Sequence, residues 1–572
     1  MKASDYIARY LERQKVTHVF ELVGGMITFL IDSISTQTKI KIVSMHHEQA
    51  AGFAAEGYAR IRNTPGVALA TSGPGATNLL TAVGSCYFDS VPVVFITGQV
   101  NLAEQKGDRA IRQLGFQETD IVSIARPVTK YCEMVRSGDA IPDALEHGFR
   151  IALEGRRGPV LIDVPLDVQR SNVDVPSGRC AIPEVELGPE VAAFVREVLT
   201  QAGASRRPLI LAGGGIRTAD AVELFRDFVG RLGVPVAHSL MGVDVLPYDH
   251  SCHMGLIGSY GNRWANVALH ECDFLLVMGS RLDVRQTGAD AGAFRGDRQI
   301  YHVDCEPGEM NNRITGCRTC VADLGAFLLA LQKIPFPPSD CGAWKSRIAA
   351  HRDKWPDTSE LNGLPGINPN RLMHELSRAS GAAAAFVADV GQHQMWAAQS
   401  LELGADQRFL TSGGMGSMGF GLPAAIGACF AANEAPVVLV AGDGGFQCNL
   451  QELQTVVRTG IPVKMVILNN QCHGMVRQFQ QSYFKERYHS TLWGYSAPDF
   501  RAVAKAYGID SRRIETPGEV AAGLQSLWAA PDKPFLLEVM IDTFANAYPK
   551  MAYGRPPSEM EPLAKPLDME GT

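Results

Sequence analysis

Residues 436–470 constrain the fold of this chain more than any other stretch. Pro436-Val-Val-Leu-Val-Ala441 is a short apolar run bounded by turn residues, the pattern of a strand buried in a parallel sheet. Gly442-Asp443-Gly444-Gly445 interrupts it. Between Asn449 and Val457, Leu450, Leu453, Val456 and Val457 recur at helical spacing, which predicts a helix with those four on one face. Gly460 and Pro462 stop that helix, and Val463-Lys-Met-Val-Ile-Leu468 is a second strand ending in Asn469-Asn470. A strand–helix–strand unit brings both strand ends to the same carboxyl edge of one sheet. Parallel neighbours sit roughly 5 Å apart. Asp443 and Asn470 can then converge on one hard cation through oxygen atoms. The N–H groups of Gly444 and Gly445, at the head of the helix, can face phosphate oxygens.

The same theme occurs three times. Val67-Ala-Leu-Ala-Thr-Ser-Gly-Pro-Gly75 and Pro208-Leu-Ile-Leu-Ala-Gly-Gly-Gly215 are also strands running into glycine turns, each followed by helical patterning. The fold class expected is α/β, with three doubly wound Rossmann-like domains and mostly parallel sheets. A chain of 572 residues is too long for one core. Pro- and polar-rich stretches near 165–189 and 335–369 mark the boundaries. The domains expected are 1–168, 188–335 and 366–545, followed by an extended tail over 546–572.

Composition narrows the function. Apolar residues make up 46% and charged residues 20%, the balance of a soluble globular protein. A net charge of −7 argues against a nucleic-acid partner. The N-terminus has no signal-peptide core, and no apolar run approaches a membrane span, so a cytoplasmic protein is expected. Cys317-Arg-Thr-Cys320 is a single C-x-x-C without a second pair, which speaks against zinc. None of the three glycine turns spells G-x-G-x-x-G between strand and helix, which disfavours an NAD-dependent dehydrogenase.

The two-ended pattern from Asp443 to Asn470 resembles the thiamine diphosphate (ThDP) motif of the pyruvate decarboxylase and acetolactate synthase superfamily. The resemblance implies a Mg²⁺ ion held by Asp443, Asn470 and the backbone carbonyl of Cys472. It implies cofactor contacts from Gly442, Gly444, Gly445, His473, Gly474 and Met475. ThDP chemistry also requires a carboxyl group against N1′ of the pyrimidine and a bulky wedge under the thiazolium. Glu48, in His46-His47-Glu48-Gln49, resembles that glutamate, and Glu56 two turns later reads as structural. Met418, in Thr411-Ser-Gly-Gly-Met-Gly-Ser-Met418, matches the wedge, and Gly416 the acceptor for the 4′-amino group. Gly391, Gln392 and His393 match diphosphate positions, Pro74 and Asn78 pyrimidine positions, and Gln117 a polar residue near the reacting carbon.

The whole chain is most similar to acetolactate (acetohydroxyacid) synthases. Their FAD pattern would fall on Arg156, Gly213, Gly214, Gly215, Arg281, Asp304 and Asp323, with a structural role for the flavin. Arg285 would pair with a substrate carboxylate, a bidentate task suited to guanidinium. The implied activity is a carboligase. It would decarboxylate pyruvate and join the two-carbon unit to a 2-keto acid, ketone or aldehyde, in a homodimer or homotetramer with sites between subunits. Other readings are a 2-keto acid decarboxylase or oxidase of the same fold, or a non-catalytic subunit. The departures concern the acceptor. Phe479 stands where 2-ketobutyrate-preferring synthases carry Trp, Leu166 where they carry Lys, and Val284 where they carry Asp. Leu256-Ile257 replaces a Met-His pair, and Asp108–Glu118 is longer and more basic. These features also resemble synthase-like enzymes of cell-surface sugar pathways.

Overall fold

The apolar runs become the strands of three parallel six-stranded sheets in a computed structural model that describes residues 1–174 and 188–568. In the N-terminal sheet the order is Lys41–Ser44, His18–Leu22, Gly66–Ala70, Val93–Gln99, Val160–Pro165, Tyr131–Met134. The central sheet runs Arg318–Val321, Gln299–Asp304, Phe274–Met278, Pro208–Ala212, Val236–His238, His253–Leu256. The C-terminal sheet runs Arg408–Thr411, Ala385–Ala388, Val437–Gly442, Val463–Asn469, Phe535–Met540, Asp510–Ile514. The inner strands are buried along their whole length because helices cover both faces, which is why they read as continuous apolar runs.

Each sheet has a point where its winding direction reverses beside a glycine turn. In the C-terminal sheet the reversal lies between Ala385–Ala388 and Val437–Gly442. In the central sheet it lies between Phe274–Met278 and Pro208–Ala212. A reversal leaves a crevice at the carboxyl ends of two strands whose following helices diverge to opposite faces. The topology thus places Gly391–His393 beside Gly442–Gly445, and Gly213–Gly215 beside Gly279–Arg281.

The N- and C-terminal sheets share one apolar core, built where helix Glu48–Arg62 crosses helix Gly421–Ala431. Two glycines permit that crossing. A Cβ on Gly57 would lie 2.2 Å from the Ala424 carbonyl oxygen, and one on Gly427 1.8 Å from that of Ala54. Both obstacles are backbone, so the helices would have to part. Gly427→Ala is therefore expected to cost at least about 1–3 kcal/mol, the usual range for overpacking. A urea midpoint equal to the parent's would show that this crossing is looser than its geometry implies.

One expectation at the 442–457 turn is corrected. The single helix splits into Asp443–Gln447, a 3₁₀ turn over Leu450–Glu452, and Leu453–Thr459. The break near Asn449 resets the helical phase. Leu453 and Val456 stay fully buried, whereas Val457 turns outward with 36% exposure. In the C-terminal stretch Lys550–Met551 pairs antiparallel with Met560–Glu561. Buried Arg263, held by Glu360 at 2.7 and 2.8 Å, donates to the carbonyls of Met560 and Glu561. Among the described residues no helix is long and apolar enough to cross a membrane.

Candidate active site

Strand Val437–Gly442 delivers Asp443 into the crevice as the first residue of a short helix, and strand Val463–Asn469 delivers Asn470 beside it. The register pairs Gly442 with Leu468, so the two side chains leave the sheet at the same level. Asn470 Oδ1 faces Asp443 Oδ1 at 3.2 Å and the Cys472 carbonyl oxygen at 2.9 Å. Turning the amide over would convert these into hydrogen bonds. The oxygen-inward orientation is the better one on two grounds. It lets Asn470 Nδ2 donate to Gln392 Oε1 at 3.2 Å. Its oxygen spacing is also that of neighbouring ligands around an octahedral Mg²⁺ with bonds of about 2.0–2.1 Å, which are about 3 Å apart. Asp443 Oδ2 is buried without a partner, and burial pushes this carboxyl up to about 7. The nearby Tyr495 hydroxyl works against that rise. The donor set fits a hard divalent cation.

The surrounding residues form a small, shaped floor. A Cβ on Gly442 would lie 2.8 Å from His393 Nδ1, and one on Gly474 1.9 Å from Gln392 Oε1. A Cβ on Gly444 would meet the His473 ring at 2.8 Å and Met418 Cε at 3.4 Å. At each position an added Cβ would force a neighbouring side chain to shift. His393 is buried with Nε2 unpartnered, and burial lowers it to about 3, so its imidazole is neutral. Gly391 (φ 157) precedes helix Gln392–Ser400, and Gly416 (φ 68) holds a left-handed turn before Met418. Met475 is half-buried in the first turn of helix Gly474–Tyr483.

On the N-terminal sheet, Glu48 opens helix Glu48–Arg62, and His47 Nδ1 accepts the Gln49 N–H at 3.0 Å. Glu48 is 6% exposed, and Asn78 Nδ2 donates to its Oε2 at 2.9 Å. A Cβ on Gly75 would stand 3.1 Å from Glu48 Oε1. Pro74 begins the short helix that carries Asn78. Gln117, at φ 65, packs against this turn, since a Cβ on Gly73 would lie 2.9 Å from its own Cβ. Glu48, Pro74, Asn78 and Gln117 are therefore neighbours. Among the described residues, no hydrogen bond links Glu48 or Asn78 to Asp443 or Asn470 within the chain. Glu56 is fully buried against Arg60 at 2.5 Å, as a structural group would be.

The third group lies around a groove holding about 1560 Å³ of empty space, open solvent included. Arg156, Gly214, Gly215, Arg281, Arg285 and Asp304 line it. Arg156 is tied to Glu309 and Ser90, and Arg281 to Asp283 at 3.2 Å. The exposed Arg285 guanidinium has no acidic partner among the described residues. Gly213 lies beneath the groove, its N–H bonded to the Met278 carbonyl. Asp323 caps helix Leu324–Gln332, its Oδ1 accepting the Ala326 N–H at 3.0 Å.

Three groups escaped the sequence reading. Asp389 accepts N–H bonds from Val390, Gly419 and Gly421, and so fixes the glycine-rich turn that carries Met418. Asp89 accepts from Gly413 and Gly414, while Arg60 bridges Asp89 and the Thr411 carbonyl. Tyr495 lies over His473, with ring centroids 4.4 Å apart. Only Asp389 had a signal in the sequence, an acid at the end of an apolar strand. The others depend on contacts more than 300 residues apart (Asp89) or on an irregular loop (Tyr495).

Comparison with known proteins agrees with this architecture. Residues 1–124, 195–331 and 389–539 match, in turn, the N-terminal TPP binding domain, central domain and C-terminal TPP binding domain of thiamine pyrophosphate enzymes. The chain is 37% identical to the acetolactate synthase isozyme 2 large subunit of Escherichia coli K12, over 98% of this chain and 99% of that one. It is 35% identical to the acetolactate synthase large subunit of Lactococcus lactis, with 97% and 95% covered, and 36% identical to that of Pyropia yezoensis, with 97% and 94% covered. With three matched domains and full-length relatives, the chain belongs to the thiamine diphosphate enzyme family, among relatives of the acetolactate synthase large subunits.

Proposed function

We propose that this protein is a carboligase that decarboxylates pyruvate and joins the two-carbon unit to a carbonyl acceptor, using ThDP, Mg²⁺ and a structural FAD. The observation that carries the cofactor part is the convergence of oxygens at one point, with Asn470 Oδ1 3.2 Å from Asp443 Oδ1 and 2.9 Å from the Cys472 carbonyl oxygen. Bound ThDP supplies the carbon nucleophile. The chain supplies the rest. Asp443, Asn470 and the Cys472 carbonyl hold the cation that neutralises the diphosphate, and neutral His393 and Gln392 line its pocket. Glu48, oriented by Asn78, holds a proton at the pyrimidine ring. Arg285 has a guanidinium free to receive a carboxylate, and Gln117 stands beside the Glu48 turn. FAD fits the Arg- and Gly-lined groove of the central sheet through Arg156, Gly214, Gly215, Arg281 and Asp304.

The active unit in this reading is a homodimer or a larger homo-oligomer. Glu48 and Asp443 stand on different sheets, and Met415, Met418 and Phe479 are 43%, 38% and 40% exposed around the C-terminal half. A second copy would cover them and complete the site.

Acceptor selection should be relaxed. Among the described residues Phe479 meets the rings of Tyr483 and Phe484 alone, and Val284 is 54% exposed and cannot steer Arg285. One methylene is worth about 1–3 kcal/mol even in a formed pocket. Little preference for 2-ketobutyrate over pyruvate is expected, together with ligation to neutral ketones or aldehydes. Mass spectrometry of products from pyruvate with each acceptor decides this. Acetaldehyde or peroxide without a ligated product would replace the proposal by a decarboxylase or an oxidase. A strong 2-ketobutyrate preference would restore an ordinary biosynthetic synthase.

A further inference from the structure

We propose that a cleft beside Arg352, remote from the ThDP groups, binds a small oxyanion, either a carboxylate or a phosphate. The cleft lies where the central sheet, helix Gly342–Lys354 and the segment around Glu402 meet, and it holds about 1330 Å³ with open solvent included. At its inner end it adjoins a more enclosed cavity of about 370 Å³. Tyr248, His253, Trp264 and Arg352 line both.

Arg352 is held as a ligand-binding guanidinium would be. Its charge lies 5.1 Å from the Tyr248 ring centre and 5.4 Å from that of Trp264. Two aromatic faces hold the guanidinium group in place. One N–H donates to the Tyr248 hydroxyl, and no acidic side chain pairs with Arg352 among the described residues. Most of its five donors are therefore left over, and a planar fork with free N–H groups suits two parallel bonds to one oxyanion. Lys345, about two turns earlier on the same helix, adds a second charge that has no acidic partner among the described residues and lies 3.2 Å from Cys252 Sγ. The carboxylate inside the cleft, Glu402, is already consumed. It accepts from His374 at 2.8 Å and from both ends of Arg378. Asp249 lies exposed at the rim. His253 stacks between His238 and Tyr248, at 5.2 and 5.4 Å, and its ring makes no hydrogen bond among the described residues. Burial keeps it neutral, so it offers one donor without adding charge. The enclosed cavity also reaches Ala398 and Gln399, near the end of the helix whose first residues, Gln392 and His393, line the diphosphate pocket.

The test uses the full-length enzyme saturated with ThDP and Mg²⁺, titrated calorimetrically with inorganic phosphate and, separately, with acetate. One of the two is expected to bind the wild type, at least about tenfold more weakly in Arg352→Met and severalfold more weakly in Lys345→Met. Whichever anion binds identifies the source. Should Arg352→Met not fold, a crystal of the wild type soaked with the bound anion must place it within hydrogen-bond distance of the Arg352 guanidinium. Absence of binding by both anions, binding unchanged in Arg352→Met, or an anion seated only elsewhere would each overturn the proposal.

Discussion

Glu48→Gln is expected to lower turnover by about 10²–10⁴-fold, the usual contribution of a positioned acid–base group, while the fold and ThDP affinity stay near those of the parent. The substitution is nearly isosteric. The Asn78 amide that now donates to Glu48 Oε2 can donate equally to the Gln carbonyl. The His47 cap and the buried face of helix Glu48–Arg62 are untouched. What disappears is a group that can exchange a proton with the pyrimidine. Asn78→Ala separates orientation from proton transfer. It leaves the carboxyl in place but removes its one side-chain partner among the described residues, so a smaller loss is expected. A Glu48→Gln enzyme with parental turnover, or an Asn78→Ala enzyme worse than it, would remove Glu48 from the assignment.

How far the sequence could be read depended on the range of the forces involved. The three sheets were legible because parallel strands buried on both faces must be continuously apolar, and glycine turns end them. The Asp443–Asn470 pair was legible because one strand–helix–strand unit holds both ends. The phase of Val457 was not, because a 3₁₀ turn costs little and leaves no mark in the apolar pattern. Asp89 and Arg60 were invisible for a different reason. Their partners at Thr411–Gly414 belong to another sheet, and nothing in the local sequence announces that contact. The close crossing at Gly57 and Gly427 likewise appears only once both helices are in place.

Asp443→Ala should have the largest effect on binding, and its signature differs from that of a merely damaged fold. Losing even an outer partner of a metal ligand costs about 10–100-fold in affinity, so removing the ligand itself should weaken ThDP·Mg²⁺ binding by more than about 100-fold. Excess Mg²⁺ should restore little, because the diphosphate charge stays uncompensated. The cofactor-free proteins should behave in the reverse order. Burial raises Asp443 to about 7, above its ordinary value near 4, so the folded chain holds this proton more tightly than the unfolded chain does. Between those two values the native state carries more protons, and stability from this group falls as pH rises. Above about pH 7 the full penalty of a buried charge remains until a cation offsets it. Without cofactor, Asp443→Ala should therefore melt no lower than the parent at pH 7.5, apart from the small cavity term. Its advantage should shrink as pH falls towards 4. With saturating ThDP and Mg²⁺ the order should invert, because only the parent gains the stabilisation that ligand binding to the native state confers. Melting curves of both proteins, with and without cofactor, at two pH values contain the whole test. A variant that still rises in melting temperature with ThDP and Mg²⁺ as the parent does would show that Asp443 is not a metal ligand.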